Sequence, residues 1–382
     1  MKLFHLSDLH IGRRIGELSL IEDQRHILGE VLSACDEEMP DGVLIAGDVY
    51  DRTLPSVEAV DLLDDFLNDL IDRGLSIFII SGNHDSPQRL GFGNKIFEKS
   101  GIHIQGTFDG TLAKKTLQDE FGEVNIYLMP YIKPPMVRPF FEFDIESYED
   151  AVAAVFCTAQ IEESSRNIIV AHQFVTHGSA QPEISDSENI SVGGLDNIDT
   201  SLFSVFDYVA LGHLHKPQYI GHEHIRYTGS PLKYSFSESL HKKSLTVVEL
   251  RAKGNLEIRT IPLKPLRDMR EIKGPLKDLL DAGLENPEGR NDLIHATVTD
   301  EEELFDVLGQ LRNVYPNILR LDFENSRTAL PVTNSSAGHD VENRSPLELF
   351  TDFYMSCNNV EMTERQILLM KKVFDDTGEL LL

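Results

Sequence analysis

Five short runs of apolar, largely β-branched residues punctuate the first two-thirds of the chain: KLFHL ending at Leu6, GVLIA at Ala46, SIFII at Ile80, NIIVA at Ala171 and DYVAL at Leu211. Each has the length of a strand and lacks the polar alternation of a half-exposed one, so each predicts a strand buried on both faces. Helical patterns separate the first three. Leu20 to Met39 carries Ile21, Ile27, Leu28, Val31 and Leu32 near helical spacing. Val57 to Ile71 repeats with Leu62, Leu63, Phe66, Leu67, Leu70 and Ile71, and closes at Gly74, a suitable C-cap residue. Strands alternating with helices predict a parallel sheet with right-handed crossovers, in which ligands bind beyond the carboxyl ends of the strands. Whatever follows the five runs should gather along one rim of the sheet.

The last third is patterned differently. LKPLRDMR, through Arg270, reads as a connector, and residues 271–325 then run helix (PLKDLLDAGL), strand (DLIHATVTD), helix (EEELFDVLGQLRNVY), strand (ILRLDFEN). That is a small α+β unit. Residues 326–344 show no apolar periodicity and many turn formers, the pattern of a linker. Residues 345–382 predict a helical hairpin: Ser345-Pro346-Leu347-Glu348 and Thr363-Glu364-Arg365-Gln366 are both capping signatures. Apolar stripes follow each, at Leu347, Leu349, Phe350, Phe353 and Tyr354, and at Ile367, Met370, Val373 and Phe374. A short hairpin cannot bury two such stripes alone, so it docks on its own body or on a partner.

The chemistry lies in what each buried run empties into: Ser7-Asp8-Leu9-His10, Gly47-Asp48-Val49-Tyr50-Asp51, Gly82-Asn83-His84-Asp85, His172-Gln173 and Gly212-His213-Leu214-His215. A lone histidine at a strand end is usually a hydrogen-bonded structural residue. Five such clusters at the same topological position are not explained that way. Asp8, His10, Asp48, Asn83, His172, His213 and His215 are carboxylate, imidazole and amide donors without a thiolate, a set suited to Mn²⁺, Fe²⁺ or Zn²⁺. Seven donors are too many for one ion with an open position and fit two ions sharing a carboxylate, the arrangement used in phosphate-ester hydrolysis. In this reading Asn83 holds metal and His84 faces the substrate. The remaining histidines carry blander expectations: His222-Glu223-His224 as a hairpin turn, His177 in a loop, and His5 packed inside its strand.

Composition narrows the setting. The 382 residues are 41% hydrophobic and 26% charged, ordinary for a globular protein of two or more domains. Asp8 interrupts the N-terminal apolar stretch where a secretory signal would need continuity, and no run approaches membrane-spanning length, so a cytoplasmic protein is expected. The three cysteines are scattered and indicate neither a disulfide framework nor a zinc knuckle. The net charge of -28 repels phosphate at long range. A nucleic-acid substrate would therefore require local basic loops, bound cations or a partner.

The motifs SDLH, GDVYDR, GNHD, AHQF and GHLH, in this order, resemble the calcineurin-like metallophosphoesterase superfamily. SDSE (185–188), VGGLDNID (192–199), FDYVALGHLHKPQ (206–218) and YTGSPLKYSFSE (227–238) are similar to the bacterial SbcD nuclease subunits within it. The resemblance implies an α/β fold, a sandwich of β-sheets flanked by helices over residues 1–270, a cap over 271–325 that helps select DNA, and a C-terminal helical hairpin. It implies two divalent metal ions, Mn²⁺ by preference: one on Asp8, His10, Asp48 and His215, the other on Asp48, Asn83, His172 and His213. A metal-bound hydroxide would attack, His84 would contact the scissile phosphate or protonate the leaving oxygen, and Asp85 would orient His84 or the turn. Asp51 and Arg52 would support them. The family cuts DNA, as an exonuclease on duplex ends and an endonuclease on single strands and hairpins, as a homodimer with the ATPase SbcC, whose coiled-coil base the hairpin would grip. The sequence itself has no G-x-x-x-x-G-K-[ST], so ATP chemistry would be supplied in trans. Arg13, Arg14, Arg89, Lys133 and Lys216 are candidate phosphate-facing residues. The rival expectations are a phosphoesterase acting on another phosphoester and a catalytically dead scaffold, the latter disfavoured by the intact donor set.

Overall fold

The buried runs form the centres of two six-stranded sheets. In chain order the strands are β1 (Lys2–Leu6), β2 (Gly42–Ala46), β3 (Ser76–Ile80), β4 (Ile102–Gln105), β5 (Ala113–Asp119) and β6 (Gly122–Met129). They continue with β7 (Arg166–His172), β8 (Tyr208–Gly212), β9 (Gln218–Ile220), β10 (His222–Tyr227), β11 (Ser244–Leu250) and β12 (Leu256–Pro262). The structure, a computed structural model, describes residues 1–188, 196–326, 345–358 and 360–378. The linker expected within 326–344 lies outside them except for Ser326, as do the first four residues of VGGLDNID and the chain end from 379.

The first sheet has the order β12-β11-β1-β2-β3-β4, and the second β9-β10-β8-β7-β6-β5. β1 to β4 are mutually parallel, with the hairpin β11–β12 added antiparallel to β1. In the second sheet β6, β7, β8 and β10 are parallel, and β5 and β9 close its edges in antiparallel fashion. The five strands that end in the predicted donors are thus shared between two sheets, three in one and two in the other, where the sequence pattern suggests one rim of a single sheet. Periodicity reports burial and not pairing partner, so the split could not be read from it.

Period-two alternation glues the sheets together. Leu3, Leu44, Ala46, Phe78 and Ile80 from the first sheet meet Ile126, Leu128, Ile168, Val170, Tyr208 and Ala210 from the second in one apolar layer. Their neighbours Phe4, Val43, Ile45, Ile77 and Ile79 face the other way and are equally buried. On that side run α1 (Ile21–Glu38) and α2 (Val57–Asp72), α2 packing on β3 with Leu62, Phe66 and Leu70 buried. The far face of the second sheet is covered by α3 (Tyr148–Cys157), started by a capping box at Ser147 and Asp150. At ~1.5–3 kcal/mol for each large apolar side chain fully buried, these layers outweigh any surface interaction. Strand ends placed on them are held by the whole sandwich. The expected His222-Glu223-His224 turn is in fact strand; the hairpin turns at Gly221, one residue earlier.

Residues Glu271–Leu382 form a second compact unit by themselves. The connector ends in a strand, β13 (Met269–Gly274), in a sheet of order β13-β14-β15 with β14 (Leu293–Val298) and β15 (Ile318–Phe323). α4 (Leu276–Glu285) and α5 (Val307–Arg312) cover its apolar face through Leu276, Leu279, Val307 and Leu311. α5 is shorter than its pattern suggests: Asp306 adopts a left-handed φ of 46° and caps Gly309, so Glu301–Phe305 stay outside the helix. α6 (Pro346–Asn358) and α7 (Glu364–Gly378) are both present. Both capping boxes are formed, Ser345 with Glu348 and Thr363 with Gln366. Phe350 meets Phe374 between the two helices.

Candidate metal centre

The loops after β1 and β2 continue the parallel pairing of their strands: Asp8 donates to Gly47 O, His10 to Asp48 O and Ile11 to Val49 O, at 2.9–3.0 Å. Within these loops the backbone turns sharply. Asp8 (φ 53°), His10 (43°), Asp48 (49°) and His213 (103°) are four of the six described non-glycine residues with positive φ. Such conformations cost on the order of 1–3 kcal/mol each and persist only where the surroundings impose them. Here they turn polar side chains from strand ends into one cluster.

That cluster contains all seven predicted donors. His10 Nε2 lies 3.1 Å from His215 Nε2 and 3.7 Å from Asp48 Oδ2. The same Asp48 oxygen is 3.4 Å from His172 Nε2. Asn83 Oδ1 is 3.0 Å from His172 Nε2 and 2.9 Å from His213 Nδ1. Asp8 accepts the backbone N–H of His213, tying the two sheets together at the site. Asp8, His10 and His215 bring ligand atoms together in one group, Asp8, Asp48 and His172 in another, and His10, Asp51 and His84 in a third. Six of the seven are buried; Asn83 is half-buried.

Ring orientations fit a cation. His172 Nδ1 donates to Ala46 O at 2.8 Å, which turns its Nε2 toward Asp48 and Asn83. His10 turns Nε2 toward His215 and Asp48, while its Nδ1, buried without a hydrogen-bond partner, faces Asp51 at 3.8 Å. Electrostatics agree. Burial raises the Asp8 carboxyl, pulls His10 well below the usual imidazole range and, with His172 nearby, takes His213 down to about 3. Burial also works against ionisation of Asp48, but the His172 imidazole outweighs it and holds that carboxyl below its usual range. Conversely, burial would lower His172, and Asp48 lifts it to about 9. A proton on His172 and a divalent ion are alternative ways of neutralising these carboxylates.

A family model of calcineurin-like phosphoesterases matches residues 1–217, and one of the type 5 capsule protein repressor C-terminal domain matches residues 265–357. Two curated relatives carry the name of the SbcD component of the SbcCD nuclease. That of Staphylococcus saprophyticus is 33% identical, over 98% of this chain and 97% of its own; that of Staphylococcus epidermidis is 30% identical, over 96% of each. The chain belongs to the SbcD family of calcineurin-like phosphoesterases. Among solved structures, a dimetal phosphatase from Danio rerio is 12% identical over 69% of this chain and 99% of that one, with a TM-score of 0.39, too low to argue from.

In this SbcD family member, the other candidates are placed as follows. His84 is half-buried; its Nδ1 meets Asp51 O at 3.1 Å and its backbone N–H donates to Asp48 Oδ1 at 2.8 Å. Asp85 accepts from Gly82, Val49 and Tyr50 N–H groups, binding the loop after β3 to the loop after β2. Burial and the neighbouring Asp48 charge push its carboxyl up to about 6. Asp51 is paired with Arg13 at 2.7 Å, and Arg52 lies 3.5 Å from it. Lys216 is paired with Glu183, and Lys133 sits over the Tyr131 ring. Sequence reasoning missed Gln24, which holds the carbonyls of Leu9 and His10 and the N–H of Gly12, and missed Glu188 and Glu238 beside His215. The two glutamates close the SDSE and YSFSE segments, quoted for their resemblance alone. Among the described residues, no helix is long and apolar enough to cross a membrane.

Proposed function

We propose that this chain is the nuclease subunit of an SbcCD-type complex, hydrolysing DNA phosphodiester bonds at duplex ends, in single strands and in hairpins with two divalent cations, Mn²⁺ in the cell. The observation that carries this is Asp48: its Oδ2 faces His10 Nε2 and His172 Nε2 at once, as a carboxylate shared by two ions must. Asp8, His10 and His215 complete one donor set, and Asn83, His172 and His213 the other. When bound, the ion pair supplies Lewis acidity to the phosphate and lowers the pKa of a water. His84 stands outside both sets. Held through Nδ1 by the Asp51 carbonyl at the half-open edge, it is positioned to donate to a phosphate oxygen or to protonate the leaving oxygen. Asp85 acts one step back, fixing the loops that carry Asp48 and Asn83.

The partners follow from the relatives' membership of SbcCD and from this chain's surface. Leu368 and Leu369 on α7 and Phe353 on α6 are large, apolar and exposed, which supports docking on the ATPase partner. Val57, Phe92 and Ile96 are similarly exposed and support a second copy of the chain as a further partner. The complex would work in the cytoplasm. The test is cleavage of a labelled hairpin-ended duplex with and without Mn²⁺, for wild type and His84→Ala, alone and with the ATPase and ATP. Cleavage that needs Mn²⁺, is lost in the variant and rises with the ATPase is expected. Intact DNA beside rapid hydrolysis of bis-p-nitrophenyl phosphate would mean that the substrate is another phosphoester.

A further inference from the structure

His215 is held on its main chain and its ring by Glu188, Lys243, Ser187 and Glu238, none of them among the predicted donors. Its backbone N–H donates to Glu188 Oε1 at 2.6 Å, and its carbonyl accepts from Lys243 Nζ at 2.7 Å. Its Nδ1 lies 3.1 Å from Glu238 Oε1 and 2.9 Å from Ser187 Oγ. The Ser187 hydroxyl proton is already given to Glu238 Oε1 at 2.6 Å, so both neighbours of Nδ1 are acceptors. Nδ1 must therefore carry the hydrogen, and the Nε2 lone pair is left pointing at His10 and Asp8.

Glu238 is itself fully buried, and an unpaired carboxylate there would be costly. Lys243, also buried, answers it at 2.6 Å through Oε2. The ammonium spends its other two protons on His215 O and Ser230 Oγ, so all three of its donors are used. The pair thus reaches His215 from two sides, at the ring through Glu238 and at the main chain through Lys243.

We propose that Glu238, locked by Lys243, is a positioning residue for the metal centre: it fixes the tautomer and angle of His215 and so sets the affinity of one ion. This rests on His215 being a metal ligand. Partners of this kind typically contribute 10–100-fold to metal affinity. A glutamine at 238 can turn its NH₂ toward Nδ1 and favour the wrong tautomer, but it also leaves Lys243 without a counter-charge. The pair variant Glu238→Gln/Lys243→Met avoids that defect.

The test is Mn²⁺ titration by calorimetry, with electron paramagnetic resonance of the bound ions, on the full-length wild type, His215→Ala, Glu238→Gln and the pair variant. Urea unfolding of the chelator-treated proteins runs in parallel. Wild type should bind two spin-coupled ions, and His215→Ala should lose one. Glu238→Gln and the pair variant should weaken that same ion by about 10–100-fold, with the pair variant unfolding near the wild-type midpoint. Wild-type affinity for both ions in the pair variant, with His215→Ala still losing one, would overturn the role of Glu238 alone. Wild-type binding in His215→Ala would remove the ligand assignment beneath it.

Discussion

His84 and Asp48 are neighbours through one hydrogen bond, yet only Asp48 belongs to the proposed donor sets, so removing His84 should spare metal binding. His84 meets the centre by its backbone N–H on Asp48 and by its ring, edge-on to His10 at 4.9 Å, while Nδ1 is held by Asp51 O. In His84→Ala the donors keep their places, so Mn²⁺ affinity should stay within about twofold while single-turnover cleavage falls by about 10²–10⁴-fold, the usual range for a lost acid. Loss of Mn²⁺ binding in this variant would make His84 part of the donor set instead. His5 offers a pH test away from the donors. Burial, with Arg226 nearby, pulls its pKa down to about 3, so it is neutral when folded and titrates near ~6.5 when unfolded. The unfolded chain therefore takes up the proton first as pH falls. The stability associated with a neutral His5 is complete above ~6.5 and is lost on the way down toward the folded value, about 3 kcal/mol by pH ~4.5. His5→Gln should flatten the fall in urea midpoint between pH 7.5 and 4.5; an unchanged slope would refute the assignment. At this scale the sequence was most legible for which side chains cluster, because each of the seven follows a buried run closely. Glu238 and Lys243 were illegible because they sit in a turn and beyond it, more than twenty residues from the ring they serve.

Buried strands and amphipathic helices announced themselves as elements, and β1, β2, β3, β7 and β8 lie where the apolar runs are. Their distribution over two sheets did not show, nor did β13, whose MREIKG has too few apolar residues to stand out. Joining the sheets at the site requires a near contact that only glycine permits. A Cβ on Gly212, the last residue of β8, would stand 1.9 Å from Ala46 O at the end of β2 and 2.8 Å from His172 Nδ1. Gly212→Ala must therefore push the strand ends apart and break the His172–Ala46 bond. It should cost about 1–3 kcal/mol or more, as overpacking does, together with tight Mn²⁺ binding. Gly29, inside α1, is the matched control: a Cβ there meets nothing within 4 Å, and its φ is helical. Gly29→Ala should raise stability by about 0.5–1 kcal/mol and leave Mn²⁺ binding unchanged. Equal effects of the two substitutions in urea unfolding would show that the close approach is not decisive.

A net charge of -28 must be reconciled with a DNA substrate at the scale of the whole molecule. The basic residues nearest the motifs do little to reverse it, since Arg13 is committed to Asp51 and Lys216 to Glu183. Attraction at the site then comes from the bound cations, which act over a few ångströms, while the surface repels over a Debye length of ~30 Å at 10 mM salt and ~8 Å at 150 mM. Salt should consequently act on this chain in the unusual direction. At fixed Mn²⁺, raising salt from about 10 to 150 mM should leave the isolated chain's kcat/KM on hairpin DNA level or increase it, because repulsion is screened before short-range contacts are. If the ATPase partner supplies a basic DNA surface, the same change should lower it when the partner is present. A protein relying on its own phosphate contacts loses ~10³–10⁵ in affinity between 50 and 200 mM salt. A fall of that size for the isolated chain would mean that a local basic track overcomes the net charge, and that the partner's contribution lies in remodelling the DNA and not in attracting it.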